Sequence, residues 1–239
     1  QEPITFVKYL GVFDNDALSS IELSALTEVA DNMLKIENNN ALTSIDLSAL
    51  TSVGRQLDVN GNDALTSFDL PNLTSVGLNH SNAGEHNSFY VTDNTALISF
   101  DLPELTQVGG KLYVNSNPAL FSCTFPALTS VDGLYVGENP ALTSFDLPEL
   151  TNVGGQYGWN GWGDFQVVSN DALTSISFPA LTSIAGGNLE VDGNGALTSI
   201  SFPALTLIAG WGGGVLEVDN NDALTSFIFP ALRRRGATW

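Results

Sequence analysis

Apolar residues in this chain return in short pieces, never in long runs. A representative stretch, Ala41-Leu-Thr-Ser-Ile-Asp-Leu-Ser-Ala-Leu-Thr-Ser-Val-Gly-Arg-Gln-Leu-Asp-Val-Asn-Gly-Asn62, has the skeleton L-x-x-I-x-L-x-x-L-x-x-V, then L-x-V-x-x-N. Neither a helical period nor one long two-residue alternation fits it. Short I-x-L and L-x-V pieces, parted by Pro, Gly and Asn, predict a coil of short strands with bends between them.

The skeleton repeats. Its anchor Ala-Leu-x-Ser recurs at Ala17, Ala41, Ala64, Ala96, Ala119, Ala141, Ala172, Ala196 and Ala223, with spacings of 22 to 27 residues except for two of 32 and 31. One unit is too small to bury its own apolar face, so neighbours must stack and share a core. The expected fold is all-β: a parallel β-solenoid of about nine coils over 1–232, followed by a basic tail at 233–239. At about 4.8 Å per coil the rod would be roughly 40 Å long.

Stacking turns repeated positions into columns. The residue three after each anchor Ala is Ser in all nine units, and the residue closing each coil is Asn, from Asn15 to Asn221. Both columns are expected to face inward and satisfy backbone groups at the bends. The Ile45 column holds Ile or Phe except at Cys123, which is therefore expected to be a buried core residue and not a nucleophile or metal ligand.

Departures from the repeat carry the functional candidates. Two long insertions, Leu78 to Ser88 and Gln156 to Asp164, and a shorter one, Trp211 to Gly214, enter between the V-G bend and the L-x-V strand. They are expected to project from one edge of the rod. Between the long ones, the outward residue of the L-x-V strand is Tyr90, Tyr113 and Tyr135 in successive coils. Three stacked phenols would floor a trough, with His80 and His86 on one side and Tyr157, Trp159 and Trp162 on the other. Planar rings with hydroxyl edges suit a sugar face or an extended peptide. His80, Glu85 and His86 could offer three metal ligands, but local spacing alone favours a solvated loop.

Two further columns bear other readings. Thr27, Thr51, Thr74, Thr106, Thr129, Thr151, Thr182 and Thr206 form an unbroken rank. Regular threonine ranks on flat solenoid faces are a feature of ice-binding proteins, and a structural hydroxyl ladder explains this one equally. Its neighbouring column varies, through Glu28, Ser52, Gln107, Asn152 and Leu207. Glu22, Asp46, Asp69, Asp101 and Asp146 form an acidic column, with Thr124 interrupting. Carboxylates one strand apart lie near the separation of about 5 Å used by retaining glycosidases. A catalytic pair needs two different environments, whereas this column repeats itself. The expectation is a solvated face, able to hold calcium loosely, on a protein with no cofactor and no enzymatic activity.

The repeat pattern L-x-S-[IF]-x-L-P-x-L-T-x-V-G-G-x-L-x-V-x-x-N-x-A-L resembles the receptor L-domain repeat of leucine-rich-repeat-like β-helices, from Leu10 to about Leu232. Such domains occur in the extracellular parts of growth-factor receptors and in fungal cell-wall and bacterial surface proteins. The resemblance implies a right-handed solenoid outside the cell, without catalysis, serving binding, adhesion or wall structure.

Charge agrees with that range of partners. Lys and Arg number 7 against 26 Asp and Glu, a net charge of −19, and three of the positives are Arg233, Arg234 and Arg235. Such a field repels phosphate backbones and anionic lipids, so nucleic acid is excluded as an expected partner. No apolar run approaches the roughly 20 residues that span a bilayer, so membrane insertion is not expected. The chain starts at Gln1 without a leader, which reads as a processed, secreted or surface protein. Sequons at Asn72 and Asn79 permit glycosylation. The expected partners are a glycan or an extracellular protein. Because the chain enters and leaves mid-coil, head-to-tail self-association into filaments is a further alternative.

Overall fold

The computed structural model describes residues 2–78, 87–154, 163–209 and 214–233. Over these it is all-β: twenty-five short strands, β1 to β25, every pair of which is parallel. Seven of the nine coils contribute three strands and two contribute two, one of which spans two columns, and the strands of successive coils stack into three columns. The first column starts at β1 (Phe6–Val7) and ends at β23 (Leu207–Ala209); the second runs from β2 (Leu10–Phe13) to β24 (Leu216–Asp219). The third starts at β3 (Ser20–Glu22) and ends at β25 (Ser226–Ile228), with its strand pairing interrupted between β16 (Ser144–Asp146) and β19 (Ser175–Ser177). The expected solenoid is what the chain forms. None of the described residues forms a helix long and apolar enough to cross a membrane.

Turn chemistry explains why the chain bends where it does. Nine of the ten prolines occupy the second position of a four-residue turn closed by an i to i+3 backbone bond. Pro71 stands in the turn closed by Leu73 N–H to Leu70 O at 3.2 Å, and Pro118 in that closed by Leu120 N–H to Asn117 O at 3.0 Å. The proline ring presets φ at the value this position requires. A second bend follows the L-x-V strand, where the residue before each column Asn has positive φ in every coil. Gly61 and Gly193 fill it twice; otherwise Asp14, Asn38, Asp93, Ser116, Glu138, Ser169 and Asn220 do, at φ of 49° to 57°.

The asparagine column is the internal ladder that the sequence predicts. Asn39, Asn62, Asn94, Asn117, Asn139, Asn170 and Asn194 are fully buried. Asn94 Oδ1 accepts the Asn62 backbone N–H at 3.0 Å, and a hydrogen of Asn62 Nδ2 at 3.3 Å. Asn62 Nδ2 also donates to Ile36 O, one coil back, at 2.9 Å and to Asn60 O at 3.1 Å. The pattern repeats from Asn15 to Asn221.

The serine column does the opposite. Every serine from Ser20 to Ser226 is exposed or half-exposed. Side chains alternate along a strand, and Ile21, Phe68, Phe100, Cys123 and Phe145 point into the core, so the Ser beside each of them must point out. Invariance there is not a mark of burial. Cys123 itself is buried within the core, and that burial pushes its thiol pKa well up.

Candidate functional site

The insertions share one corner, between the first and second columns. The chain turns off at Gly77 and at Gly154, both with positive φ, where a side chain would collide with neighbouring backbone. The first insertion is shorter than its sequence pattern suggests, because Asn87 and Ser88 are buried parts of the coil wall. Ser88 Oγ accepts the Lys111 backbone N–H at 2.9 Å, and Asp164 Oδ1 accepts that of Asn188 at 2.7 Å. Side-chain oxygens thus stand in where the insertions part the backbone ladder. His80, His86, Tyr157, Trp159 and Trp162, with Glu85, lie outside the described residues.

Between the two insertion roots the corner is closed over. There β13 (Gln107–Asn115) and β15 (Ser130–Gly137) each run unbroken through the first and second columns. Their register slips between Val108 and Lys111, where Gly109 and Gly110 face the single residue Asp132. Tyr113 and Tyr135 stand on these two continuous strands, and Tyr90 on the neighbouring one, in direct register. The rings of Tyr113 and Tyr135 stack with centroids 4.4 Å apart and planes 11° apart; Tyr90 follows Tyr113 at 5.7 Å and 53°. The predicted ladder therefore forms, and its three rings are half-buried on the outer face.

Beside the ladder a cleft of about 500 Å³ follows the bend, lined in part by Pro118, Pro140, Ser116 and Glu138. Burial first, and then the carboxylates of Glu138 and Asp93, raise the Tyr113 pKa. Burial, the phenol of Tyr113 and nearby carboxylates push Tyr135 up to about 12. Both phenols therefore stay neutral at physiological pH.

The same outward column continues past Tyr90 into a charged cluster that sequence reasoning did not single out. Lys35 Nζ donates to Glu37 Oε1 at 3.0 Å and to Asp58 Oδ2 at 3.3 Å, while Gln56 Nε2 donates to Asp58 Oδ2 at 2.8 Å. Asp58 is only 7% exposed, and its Oδ1 has no hydrogen-bond partner among the described residues. Burial and the neighbouring Glu37 push its pKa up to about 6, against the pull of Lys35. Burial opposes the Lys35 charge, yet Glu37 and Asp58 outweigh it and raise the Lys35 pKa. An open cleft of about 320 Å³ joins this cluster to Tyr90. A clue was present in the sequence: opposite charges at Lys35 and Asp58 fall in one column one coil apart.

The threonine rank is a hydrogen-bond ladder. The hydroxyls of Thr51, Thr74, Thr106, Thr129, Thr151 and Thr182 each donate to the carbonyl of the Thr one coil back, at 2.8 to 3.0 Å. The same carbonyls accept the backbone N–H of that next Thr. The hydroxyl hydrogens are thereby committed within the protein. In the acidic column, Asp46, Asp69 and Asp101 stand in register, and Thr124 Oγ1 donates to Asp101 Oδ1 at 2.6 Å. Among the described residues, no group of three or more His, Cys, Asp or Glu could hold a metal ion.

No family model, no curated protein and no solved structure matches this chain.

Proposed function

We propose that this chain is a non-catalytic binding protein that holds an extended ligand, a glycan or a segment of another protein, across the tyrosine face. The observation that carries the reading is the stacked pair Tyr113 and Tyr135, on two unbroken strands between the insertion roots. Among the described residues, Phe89, Phe100, Phe125, Phe145, Phe165, Phe178 and Phe202 are fully buried in the core. Tyrosines held half out of the surface offer rigid rings at little entropic cost and hydroxyls for hydrogen bonding.

The neighbouring features fit the same task. The proline-lined cleft runs alongside the rings, and the Lys35 and Asp58 cluster extends the column with charge. Acidic charge across the body favours neutral or cationic ligands over anionic ones. The resemblance to receptor L domains is why we propose a secreted or surface location. The experiment is a glycan and extracellular-matrix-protein array probed with wild type and Tyr113→Ala. Hits lost in the variant support the reading; silence from both proteins removes it.

A further inference from the structure

We infer that Tyr113 and Tyr135 form a modification site, where a one-electron oxidant joins the two rings into a dityrosine that ties one coil to the next. This goes beyond ligand binding and requires no ligand. It rests on how the two rings face each other.

Strand register brings the pair together. Tyr113 on β13 lies directly opposite Tyr135 on β15, and neighbouring in-register parallel strands differ by little more than a translation. Side chains that share a rotamer on such strands stack face to face. The two rings do so, with centroids 4.4 Å apart and planes 11° apart. Their strands run unbroken through two columns, which fixes the backbone beneath both rings. Both rings are half-buried, so an oxidant in solution reaches them and water can take their protons.

This arrangement suits radical coupling. Loss of one electron and the hydroxyl proton turns each phenol into a phenoxyl radical. Its unpaired electron sits in the ring π system, with high density at the carbons ortho to oxygen. The π lobes stand out of the ring face, so stacking aims the lobes of one radical at those of the other. Pairing the two electrons makes one carbon–carbon bond between an ortho carbon of Tyr113 and one of Tyr135. Each bonded carbon then gives its hydrogen to water as a proton, and each oxygen takes one up, restoring two phenols. In sum, two protons go to solvent and two electrons to the oxidant, whether a peroxidase intermediate or a photo-excited metal complex. Rings already in contact couple within one molecule before either meets a second protein.

The other tyrosines among the described residues are less well placed. Tyr90 meets Tyr113 at 5.7 Å with planes 53° apart, so its lobes do not face those of Tyr113. Tyr9 is 45% exposed, more open to an oxidant than either member of the pair, yet it stacks on no ring among the described residues. Exposure alone would select Tyr9; stacking selects Tyr113 and Tyr135.

The test is oxidation of dilute protein with a ruthenium photo-oxidant and persulfate, read by dityrosine fluorescence, electrophoresis and peptide mass mapping. The expected product is a monomer lighter by two hydrogen atoms, whose main cross-linked peptides carry Tyr113 and Tyr135. Tyr113→Phe and Tyr135→Phe each keep a ring in place but remove a phenol, so each should abolish this product without altering the far-ultraviolet circular dichroism. Tyr9→Phe should leave the yield unchanged. In denaturant the preference for this pair should disappear, since only the fold stacks the rings. A monomer without dityrosine, a main cross-link to another tyrosine, or coupling chiefly between molecules overturns the inference. So does a Tyr113 to Tyr135 preference that persists in denaturant.

Discussion

The ring of Tyr135 lies down over Gly137, so closely that a Cβ on Gly137 would stand 2.5 Å from its Cε1. The two residues occupy successive outward positions of one strand, and the missing side chain at the second lets the ring at the first lie flat. Tyr113 then stacks on that ring. The geometry of the ladder is thus set in part by a residue with no side chain.

Gly137→Val should therefore lift the Tyr135 ring without breaking the coil, since the obstructing atoms belong to the swinging end of a side chain. Loss of the stacked pair costs about 0.5–1.5 kcal/mol. The near-ultraviolet circular dichroism of the tyrosines should change while the far-ultraviolet spectrum does not. An unaltered tyrosine signal would show that the glycine does not position the ring.

The asparagine ladder should be steeply unequal along its length. Asn117→Ala removes Oδ1 from the Asn94 N–H and strips donors from Val91 O and Asn115 O in a fully buried site. Each unpaired buried group costs about 1–3 kcal/mol, so the total should be about 3 kcal/mol or more. Asn15→Ala, at an exposed position, should cost about 1 kcal/mol or less. Urea denaturation of the two variants compares them, and equal losses would contradict the ladder's role.

Stability should rise on mild acidification. The Asp58 carboxyl has its folded pKa raised from 3.8 to about 6. Between those values the unfolded chain has lost the proton that the folded chain keeps, so stability falls as pH rises through this window and is regained on the way down. Asp132, raised to about 6 by burial, acts in the same direction. With one pKa unit worth about 1.4 kcal/mol and each kcal/mol worth about 2–4 °C at this chain length, Tm should be about 3–8 °C higher at pH 5 than at pH 7.5. Asp58→Asn should reduce that difference, leaving the part that Asp132 contributes. A Tm that falls over the same interval would refute the assignment.

Cys123 should be inert in the native protein. Burial both shields the thiol and disfavours its thiolate, and the thiolate is the reacting form. A chromogenic disulfide reagent should label it only as fast as the chain unfolds, with full labelling in denaturant. Rapid labelling of the native protein would place it at the surface.

The coil itself was legible because stacking converts a repeat into columns, and Leu, Val, Asn and Pro at fixed spacing each have one way to fit. The serine column is misleading because uniformity does not say which face a residue takes; strand alternation beside the buried Ile21 and Phe68 sends it outward. Gly137 and Asp58 were hidden for a different reason. The sequence marks both as outward positions, and only the neighbours one coil away and two residues along decide that one makes room for a ring and the other is buried. The left-handed bends were half visible: Asp, Asn, Ser and Gly fill them readily, but Glu138 does not advertise such a backbone.

The central claim, that the tyrosine face holds the ligand, is tested most directly by the affinity of the strongest array hit for wild type, Tyr113→Ala and Phe121→Ser. Phe121 is an exposed aromatic outside the tyrosine column, at 54% exposure. Losing a stacked anchor residue costs about 2 kcal/mol or more, so Tyr113→Ala should weaken binding about 30-fold and Phe121→Ser should leave it unchanged. Equal affinity of Tyr113→Ala and wild type, or an equal loss in both variants, would contradict the account.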